Sequence, residues 1–359
     1  MWFWNSILKI ILFLSLIFSA VPPNIPPTEL RVMVVGDIIM HSPIISAGYD
    51  PNIKGYNYED IFTQVQPIFA QADLVIGNLE GPLGGADLGY SGYPRFNAPK
   101  ELAAALKIAG VDVLTTANNH SMDQWEKGLT KTLDHLDEYE IKHTGTFRTE
   151  EEKATPLIIE VNEIKIGIIA NTYGTNGLPV PEDKPYMVNL LDLDTIREEV
   201  VRLQENNVDY IMAMIHYGPE YIRLPSAEQL EWTDQLLDLG VDFVLGSHPH
   251  VVQPLRIITG DENQSDQGVI YSLGNFLSNQ QWDWKDYGII LDLTLEKDHN
   301  KQTIKLKNIT VIPTYVQISS VNGQRKYQVL PIIEENKESI AQEIWSNGQE
   351  LVEFVFNAK

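Results

Sequence analysis

The chain has 359 residues, of which 43% are hydrophobic and 21% are charged; these proportions suit a globular protein with a buried core and disfavour a disordered or fibrous one. The formal net charge of −23 argues against nucleic acid as a partner, because phosphate binding needs clustered Lys and Arg. The absence of cysteine excludes disulfides, thiol catalysis, thiolate metal sites and a lipoprotein anchor.

Residues 1–21 are rich in aromatic and apolar side chains and predict export. Their apolar core, residues 10–21, has the length of the hydrophobic region of a signal peptide. Counted from Trp2, about twenty residues would instead span a bilayer if Lys9 extends to the interface. No convincing Ala-x-Ala cleavage site follows, so an uncleaved membrane anchor with an outward-facing domain is preferred over a cleaved signal and a secreted protein. A buried N-terminal helix is the third alternative.

Residues 22–30 are rich in proline and predict a stiff linker, after which residues 31–359 predict one globular domain. Short β-branched runs predict strands at 31–35, 73–76, 111–115, 210–215 and 241–245, with helices at 99–109, 124–139, 192–205 and 226–239. Further strands are predicted at 164–170, 268–272, 287–295 and 303–311, and a final helix at 336–346. The alternation of strands and helices indicates an α/β layered core.

Polar side chains follow five of these strands, at the point where each strand ends. They are Asp37, Glu80, Asn119 with His120, His216, and His248 with His250. Because the carboxyl ends of strands in an open α/β sheet line the crevice where ligands bind, we expect these side chains to converge on one site. Imidazole, carboxylate and amide oxygen together suit divalent metals. The sequence therefore predicts one or two divalent metal ions, with Mn, Fe and Zn as candidates.

The pair His248 and His250 is the sharpest element of this pattern. In a turn stiffened by Pro249, both rings can face a common cavity. The alternative for this pair is two surface histidines with satisfied hydrogen bonds. His216 alone is weaker, because a single histidine at a strand end is more often structural.

Six short segments, in order, resemble the successive signatures of the CapA family. They are Gly36-Asp37, Gly77-Asn78-Leu79-Glu80, Ala117-Asn118-Asn119-His120, His216-Tyr217-Gly218, Gly246-Ser247-His248-Pro249-His250 and Ser272-Leu273-Gly274-Asn275-Phe276. The resemblance covers most of the chain from residue 31 to residue 290. It implies a fold similar to the calcineurin-like metallophosphoesterases and a role in bacterial poly-γ-glutamate capsule synthesis.

The resemblance also implies roles for individual residues. Asp37 would be a metal ligand from the first strand, and Glu80 stands where the phosphoesterases place a metal-bridging Asp. The remaining implied ligands are Asn119, His216, His248 and His250. His120 would not bind metal but would assist the reacting oxygen as a proton or hydrogen-bond donor.

The chain departs from the phosphoesterase pattern in two places. The first motif is normally Asp-x-His, but Asp37 is followed by Ile38 and Ile39, so the histidine is missing. Glu80 is one methylene longer than the expected Asp. His41 could compensate from the following loop, or could face solvent. One firmly held metal is therefore a safer prediction than two.

Three further residues are predicted to contact substrate. Arg95 and Asn97 lie in a loop after Glu80, where a guanidinium could hold a carboxylate or phosphate, although Arg95 could equally make a surface salt bridge. Asn275 is placed near the site by the family resemblance.

The fold class expected is α/β, a metallophosphoesterase-like two-sheet sandwich flanked by helices. The function expected is that of a membrane-anchored CapA-type protein of poly-γ-glutamate synthesis or export, with other capsule synthase subunits as possible partners. One alternative is a secreted metallohydrolase that acts on a phosphoester or an amide. The other is a non-catalytic scaffold of a capsule synthase complex.

Overall fold

A computed structural model describes residues 25–358 of the protein. The predicted N-terminal anchor, residues 1–21, lies outside this range, as does the first part of the predicted linker. The first strand, β1, begins at Thr28, so the end of the predicted linker is part of a sheet. Within the described range, no helix combines the length and the apolar composition needed to cross a membrane.

Sixteen strands and nine α-helices make up the described part of the chain. The strands are β1 (Thr28–Ile39), β2 (Tyr49–Asp50), β3 (Gly55–Tyr56), β4 (Leu74–Glu80), β5 (Val113–Thr115), β6 (Lys142–Thr144), β7 (Leu157–Val161), β8 (Ile164–Thr172), β9 (Tyr210–His216), β10 (Phe243–Ser247), β11 (Leu255–Ile258), β12 (Gln267–Ile270), β13 (Asn275–Leu277), β14 (Tyr287–Asp298), β15 (Thr303–Val321) and β16 (Gln324–Pro331). The helices are α1 (Ser42–Ala47), α2 (Glu59–Phe62), α3 (Gln66–Phe69), α4 (Glu101–Ala109), α5 (Trp125–Glu138), α6 (Glu150–Ala154), α7 (Leu193–Glu205), α8 (Ala227–Asp238) and α9 (Gln342–Asn357).

Two mixed sheets pack face to face between layers of helices. The larger sheet has the order β16-β15-β14-β1-β4-β5-β6, with β13 also paired to β1, and the smaller has the order β11-β12-β10-β9-β8-β7. The side chains of alternate residues in β1 lie on opposite faces of the larger sheet. Val32 and Val34 belong to the core between the sheets, whereas Met33 and Val35 pack toward the helices. The predicted α/β two-sheet sandwich flanked by helices is confirmed.

The nine predicted strands all overlap observed strands, and four of the five predicted helices are observed nearly as predicted. Ser226 caps α8 through a capping box with Gln229, so this helix begins where it was predicted to begin. The predicted bounds of the final helix, residues 336–346, were wrong. Residues 334–339 form a 3₁₀ helix, Ile340 is extended, and α9 then runs from Gln342 to Asn357. Its buried residues Trp345, Leu351 and Val355 join the core between the sheets, so tertiary packing sets its length.

An aspartate immediately precedes each of four parallel strands and sets the register of its neighbour. In each case the carboxylate accepts a hydrogen bond from a backbone N–H of the adjacent strand. The four donor and acceptor pairs are Arg31 with Asp73, Val75 with Asp112, Lys165 with Asp209 and Ile211 with Asp242, at 2.8–2.9 Å. Because a one-residue slip would break these bonds, they align the carboxyl ends that carry the polar side chains.

One of these aspartates predicts a specific pH dependence of stability. Burial raises the pKa of Asp242 from 3.8 to about 7, although the hydrogen bond from Ile211 opposes the shift. The stability that comes from the protonated carboxyl is fully present below pH 3.8 and is lost as the pH rises through about 7. Asp242→Asn keeps an oxygen acceptor without the charge, so we expect it to raise the free energy of unfolding at pH 8 by about 2 kcal/mol and to change it little at pH 4.

The measurement is urea denaturation of the wild type and the variant across this pH range. Asp238→Asn, at the exposed end of α8, is the matched control, and its curve should run parallel to that of the wild type. A constant difference between wild type and Asp242→Asn at every pH would contradict the assignment.

Candidate metal centre

The carboxyl ends of strands from both sheets meet at one edge of the sandwich. Asp37 and Glu80 come from β1 and β4 of the larger sheet, and His216 ends β9 of the smaller sheet. The other predicted ligands lie in the loops after β5 and β10. All six predicted ligands are buried, and they are Asp37, Glu80, Asn119, His216, His248 and His250. The structure therefore brings together residues that are more than a hundred positions apart in the chain.

His216 is held in one orientation by neighbours on both ring nitrogens. Its Nδ1 lies 2.9 Å from the hydroxyl of Ser247 and 3.5 Å from the amide nitrogen of Asn78. A proton on Nδ1, donated to the Ser247 hydroxyl, would leave Nε2 as an electron-pair donor for a metal. Burial lowers the pKa of His216 well below its usual value, so the ring is neutral. A neutral imidazole is the form that binds a metal.

The Nε2 atom of His216 faces two oxygen atoms. It lies 3.0 Å from Oδ1 of Asn119 and 3.8 Å from Oε1 of Glu80. Two ligands about 2.1 Å from one cation and at right angles to each other lie about 3 Å apart. The spacing of His216 and Asn119 therefore suits neighbouring ligands on a metal, and it equally suits a hydrogen bond between the two side chains.

The rings of His248 and His250 lie close together, with their centroids 5.8 Å apart, and both belong to one group of possible metal ligands. Their φ angles are 94° and 57°, values that residues other than glycine adopt uncommonly. The backbone N–H of His248 donates to Oδ2 of Asp37 at 3.1 Å, which ties this strained turn to β1. Burial lowers the pKa of His248 to about 3, so its ring is neutral at neutral pH.

His250 is oriented by a carboxylate and an amide. Its Nδ1 lies 3.2 Å from Oδ2 of Asp37 and 3.1 Å from Oδ1 of Asn275, and its Nε2 lies 3.8 Å from Oε1 of Glu80. Burial alone would lower the pKa of His250, but the carboxylates of Glu80 and Asp37 outweigh it and raise that pKa to about 9. Oδ1 of Asp37 accepts from Asn78 at 2.8 Å, so both oxygens of Asp37 also position neighbours.

Two buried atoms of the cluster have no hydrogen-bond partner among the described residues. They are Oε2 of Glu80 and Nδ1 of His248, although the two side chains are almost fully buried. A buried acceptor without a partner is costly, because it has lost its bonds to water. Bound cations would satisfy such atoms, so the residues present fit a metal.

The possible ligand atoms form three overlapping groups, and within each group they lie within 4.8 Å of one another. The groups are Glu80 with His216 and His248, Glu220 with His248 and His250, and Asp37 with Glu80 and His250. Mixed imidazole and carboxylate ligands suit Zn, Fe and Mn. The identity and number of the metals stay predictions.

His120 stands beside this cluster without belonging to any of the three groups. Its Nδ1 lies 2.8 Å from Oδ2 of Asp123, and its Nε2 lies 3.4 Å from the amide nitrogen of Asn176. The Asp123 carboxylate therefore holds the proton on Nδ1 and leaves Nε2 to accept a proton. The ring of Phe96 packs edge-on against His120, with the ring centroids 4.6 Å apart.

A cavity of about 410 Å³ opens onto these residues. Its lining residues are Ile39, His41, Glu80, Tyr93, Phe96, His120, Glu220, Tyr221, His250, Asn279 and Gln280. His41 lies in the wall, but it belongs to none of the three ligand groups. Burial lowers the pKa of His41 to about 4, and its Nδ1 accepts from the backbone N–H of Asn279 at 3.3 Å.

Residues 31–280 match the family described as "Bacterial capsule synthesis protein PGA_cap". The chain belongs to this family. Among its curated relatives is the capsule biosynthesis protein CapA of Bacillus anthracis, 25% identical over 354 residues that cover 92% of this chain and 79% of the relative. The PGA biosynthesis protein CapA of Bacillus subtilis (strain 168) is 28% identical over 259 residues, or 70% of this chain and 64% of the relative. The predicted resemblance to CapA is confirmed.

The solved structures that resemble this chain include a phosphoesterase and a nucleotidase. The calcineurin-like phosphoesterase YfkN from Bacillus subtilis has a TM-score of 0.47 at 17% identity and covers 92% of this chain and 99% of its own. The NAD nucleotidase NadN of Haemophilus influenzae has a TM-score of 0.47 at 13% identity and covers 91% of this chain. This chain spans 62% of that nucleotidase.

In this PGA_cap protein, the three predicted substrate residues make other contacts. Arg95 donates from Nε to the carbonyl of Asp123 at 2.8 Å, and its guanidinium lies 5.2 Å from the ring centroid of Trp125. The amide of Asn97 is used by the backbone of the loop at residues 84–89. Asn275 orients His250 and also donates to Gln280 at 2.9 Å. None of the three lines the described cavity, so these contacts give them positioning roles and lend no support to substrate contact.

Sequence reasoning missed three residues of the site. Asp123 orients His120 and was signalled only by its spacing of three residues from that histidine. Glu220 and Tyr221 line the cavity from the loop after β9, in the run that begins at His216. Glu220 is a carboxylate that follows the predicted ligand His216 in the same short segment, and this proximity is the signal that could have identified it.

Proposed function

We propose that this chain is a metal-dependent hydrolase of bacterial capsule-polymer synthesis or export, held in the cell envelope by its N-terminal segment. The observation that carries the proposal is the unpartnered pair of buried atoms, Oε2 of Glu80 and Nδ1 of His248, beside a histidine that is not a ligand. The unpartnered pair supports a bound metal, and His120, which belongs to no ligand group, supports catalysis over a scaffold that only binds the metal.

Glu80, Asn119 and His216 would hold the metal. When bound, the metal would polarise the attacked group and lower the pKa of a water molecule. His120 then acts at Nε2, which accepts a proton from the nucleophile or passes one to the leaving group. Asp123 keeps the ring in the tautomer that this transfer needs. Phe96 and Tyr93 cover the cavity beside His120 and limit the access of bulk water.

The relatives, rather than the charges of the cavity, suggest the bond acted on. The lining residues of the described cavity include Glu80 and Glu220 but no Lys or Arg. These carboxylates would repel a phosphate group, and they would equally repel the carboxylates that poly-γ-glutamate carries, so either substrate needs the positive charge of a bound metal. Poly-γ-glutamate is joined by amide bonds, and two relatives are named for capsule or PGA biosynthesis. We therefore propose the amide link of that polymer as the bond acted on.

The test uses the purified full chain and measures divalent metal content, new amino groups released from poly-γ-glutamate, and phenol released from an aryl phosphate. We expect bound metal and amine release that stops when a chelator removes the metal. Metal-dependent release of phenol alone would favour a secreted phosphohydrolase. A metal-free protein that supports normal capsule production in cells would favour a scaffold.

A further inference from the structure

The loop between β9 and α8 carries Glu220 to the mouth of the cavity and is held in place at several points. The N–H of Tyr221 donates to the carbonyl of Pro249 at 2.7 Å. The loop is therefore bonded to the residue between His248 and His250. The hydroxyl of Tyr221 accepts from the amide of Gln280 at 3.2 Å. The position of Glu220 is therefore set by bonds on both sides of the cavity.

The far end of the same loop is clamped onto the C-terminal helix. The guanidinium of Arg223 lies between two aromatic rings, 4.0 Å from the centroid of Trp284 and 3.9 Å from that of Phe354. Cation–π contacts of this kind stabilise an ordered loop conformation. The loop thus belongs to the rigid wall of the site.

A carboxylate oxygen of Glu220 lies within 4.8 Å of ring nitrogens of His248 and His250. Glu220 itself is exposed, whereas both histidines are buried. The Nδ1 atom of His248 has no hydrogen-bond partner, and the side chain is 4% exposed. One carboxylate and two imidazoles, one of them with an unpartnered nitrogen, are the donor set of a divalent cation site.

The opposite wall of the cavity lacks a ligand that the phosphoesterase pattern would supply. Ile39, two residues after Asp37, lines the cavity and offers no ligand atom. The side of the site near Asp37 and His250 is therefore one ligand short. Glu220 reaches the same cavity from the other side and can make up the deficit.

We propose that Glu220 is a metal ligand, and that it holds a second cation together with His250 and His248. The proposal rests on the proposed function, because it assumes that the first cation is bound at Glu80 and His216. The second cation lies toward the open mouth of the cavity, where substrate enters. It offsets the negative charge of Glu80 and Glu220, which no Lys or Arg among the described lining residues balances.

The test is titration of the metal-free full chain with Mn²⁺, followed by calorimetry and by the electron paramagnetic resonance signal of free Mn²⁺. We expect the wild type to bind two ions and Glu220→Gln to bind the weaker ion about tenfold or more less tightly, with the tighter ion unchanged. Glu228→Gln is the matched control, because Glu228 is an exposed carboxylate in the first turn of α8 and lies outside the cavity lining. It should bind both ions as the wild type does.

Unchanged Mn²⁺ binding by Glu220→Gln would overturn this proposal and leave the proposed function standing. A wild type that binds no Mn²⁺, and no other divalent ion tested, would overturn the proposed function itself. Glu220 is exposed, so its substitution does not threaten folding, and circular dichroism of each variant checks this directly.

Discussion

His216→Ala is expected to lower the affinity for divalent metal by about a hundredfold or more, because the proposed site uses His216 as a direct ligand. The Nε2 atom of His216 faces both Asn119 and Glu80. Replacement of residues that merely orient a ligand already costs about 10–100-fold in metal affinity, so loss of the ligand itself should cost at least as much. Metal content after dialysis and Mn²⁺ titration measure the effect.

The same substitution is expected to destabilise the fold, and this must be separated from metal loss. His216 is fully buried, so truncation leaves a small cavity and an unpaired hydroxyl on Ser247, at a cost of about 2–4 kcal/mol. His143→Ala is a suitable control, because His143 is a partly buried histidine that is paired with Asp137 outside the site. The control should lose some stability but keep its metal. Full metal content in folded His216→Ala would contradict the assignment of this ligand.

His120→Gln is expected to reduce turnover by about 10²–10⁴-fold while leaving metal affinity unchanged, because the proposed function gives His120 a proton-transfer role and no metal. Glutamine keeps a polar side chain of similar length but cannot exchange a proton near neutral pH. The measurements are amine release from poly-γ-glutamate by the purified variant and polymer production by cells that carry the variant as their only copy.

A second substitution tests how His120 is positioned. Asp123→Asn removes the carboxylate from Nδ1 of His120, so we expect a smaller loss of turnover together with a shifted pH profile. His299→Gln is the control, since His299 lies near the start of β1 and contacts Thr28. Equal activity of His120→Gln and the wild type would remove the catalytic role and favour a scaffold.

These two predictions separate metal binding from proton transfer. If the site works as proposed, His216→Ala loses both metal and activity, whereas His120→Gln loses activity alone. The distinction follows from geometry, because His216 belongs to a ligand group and His120 is turned toward Asp123. Full polymer production in cells that carry either variant would favour the non-catalytic scaffold.

The amino-acid sequence by itself determined the α/β class, the central strands and the residues that end them. These are local signals, since a β-branched run followed by Asp, Asn or His is read within a window of about ten residues. Seven strands were missed, because their pairing depends on partners that a short window does not contain; they are β2, β3, β6, β7, β11, β13 and β16.

Only the tertiary structure decided which atoms of the site face one another. Asp37 and His250 are more than two hundred residues apart, and their contact exists because two sheets pack with their carboxyl ends at one edge. The same packing gave Asn97 a backbone partner, the N–H of Gly84, and placed the guanidinium of Arg95 over Trp125. The sequence context of these two residues suited a substrate pocket equally well. Glu220 lies in the cavity wall because of the path of the loop after β9, which only the tertiary structure shows. Orientation and distance between remote side chains come from packing, and no local pattern encodes them.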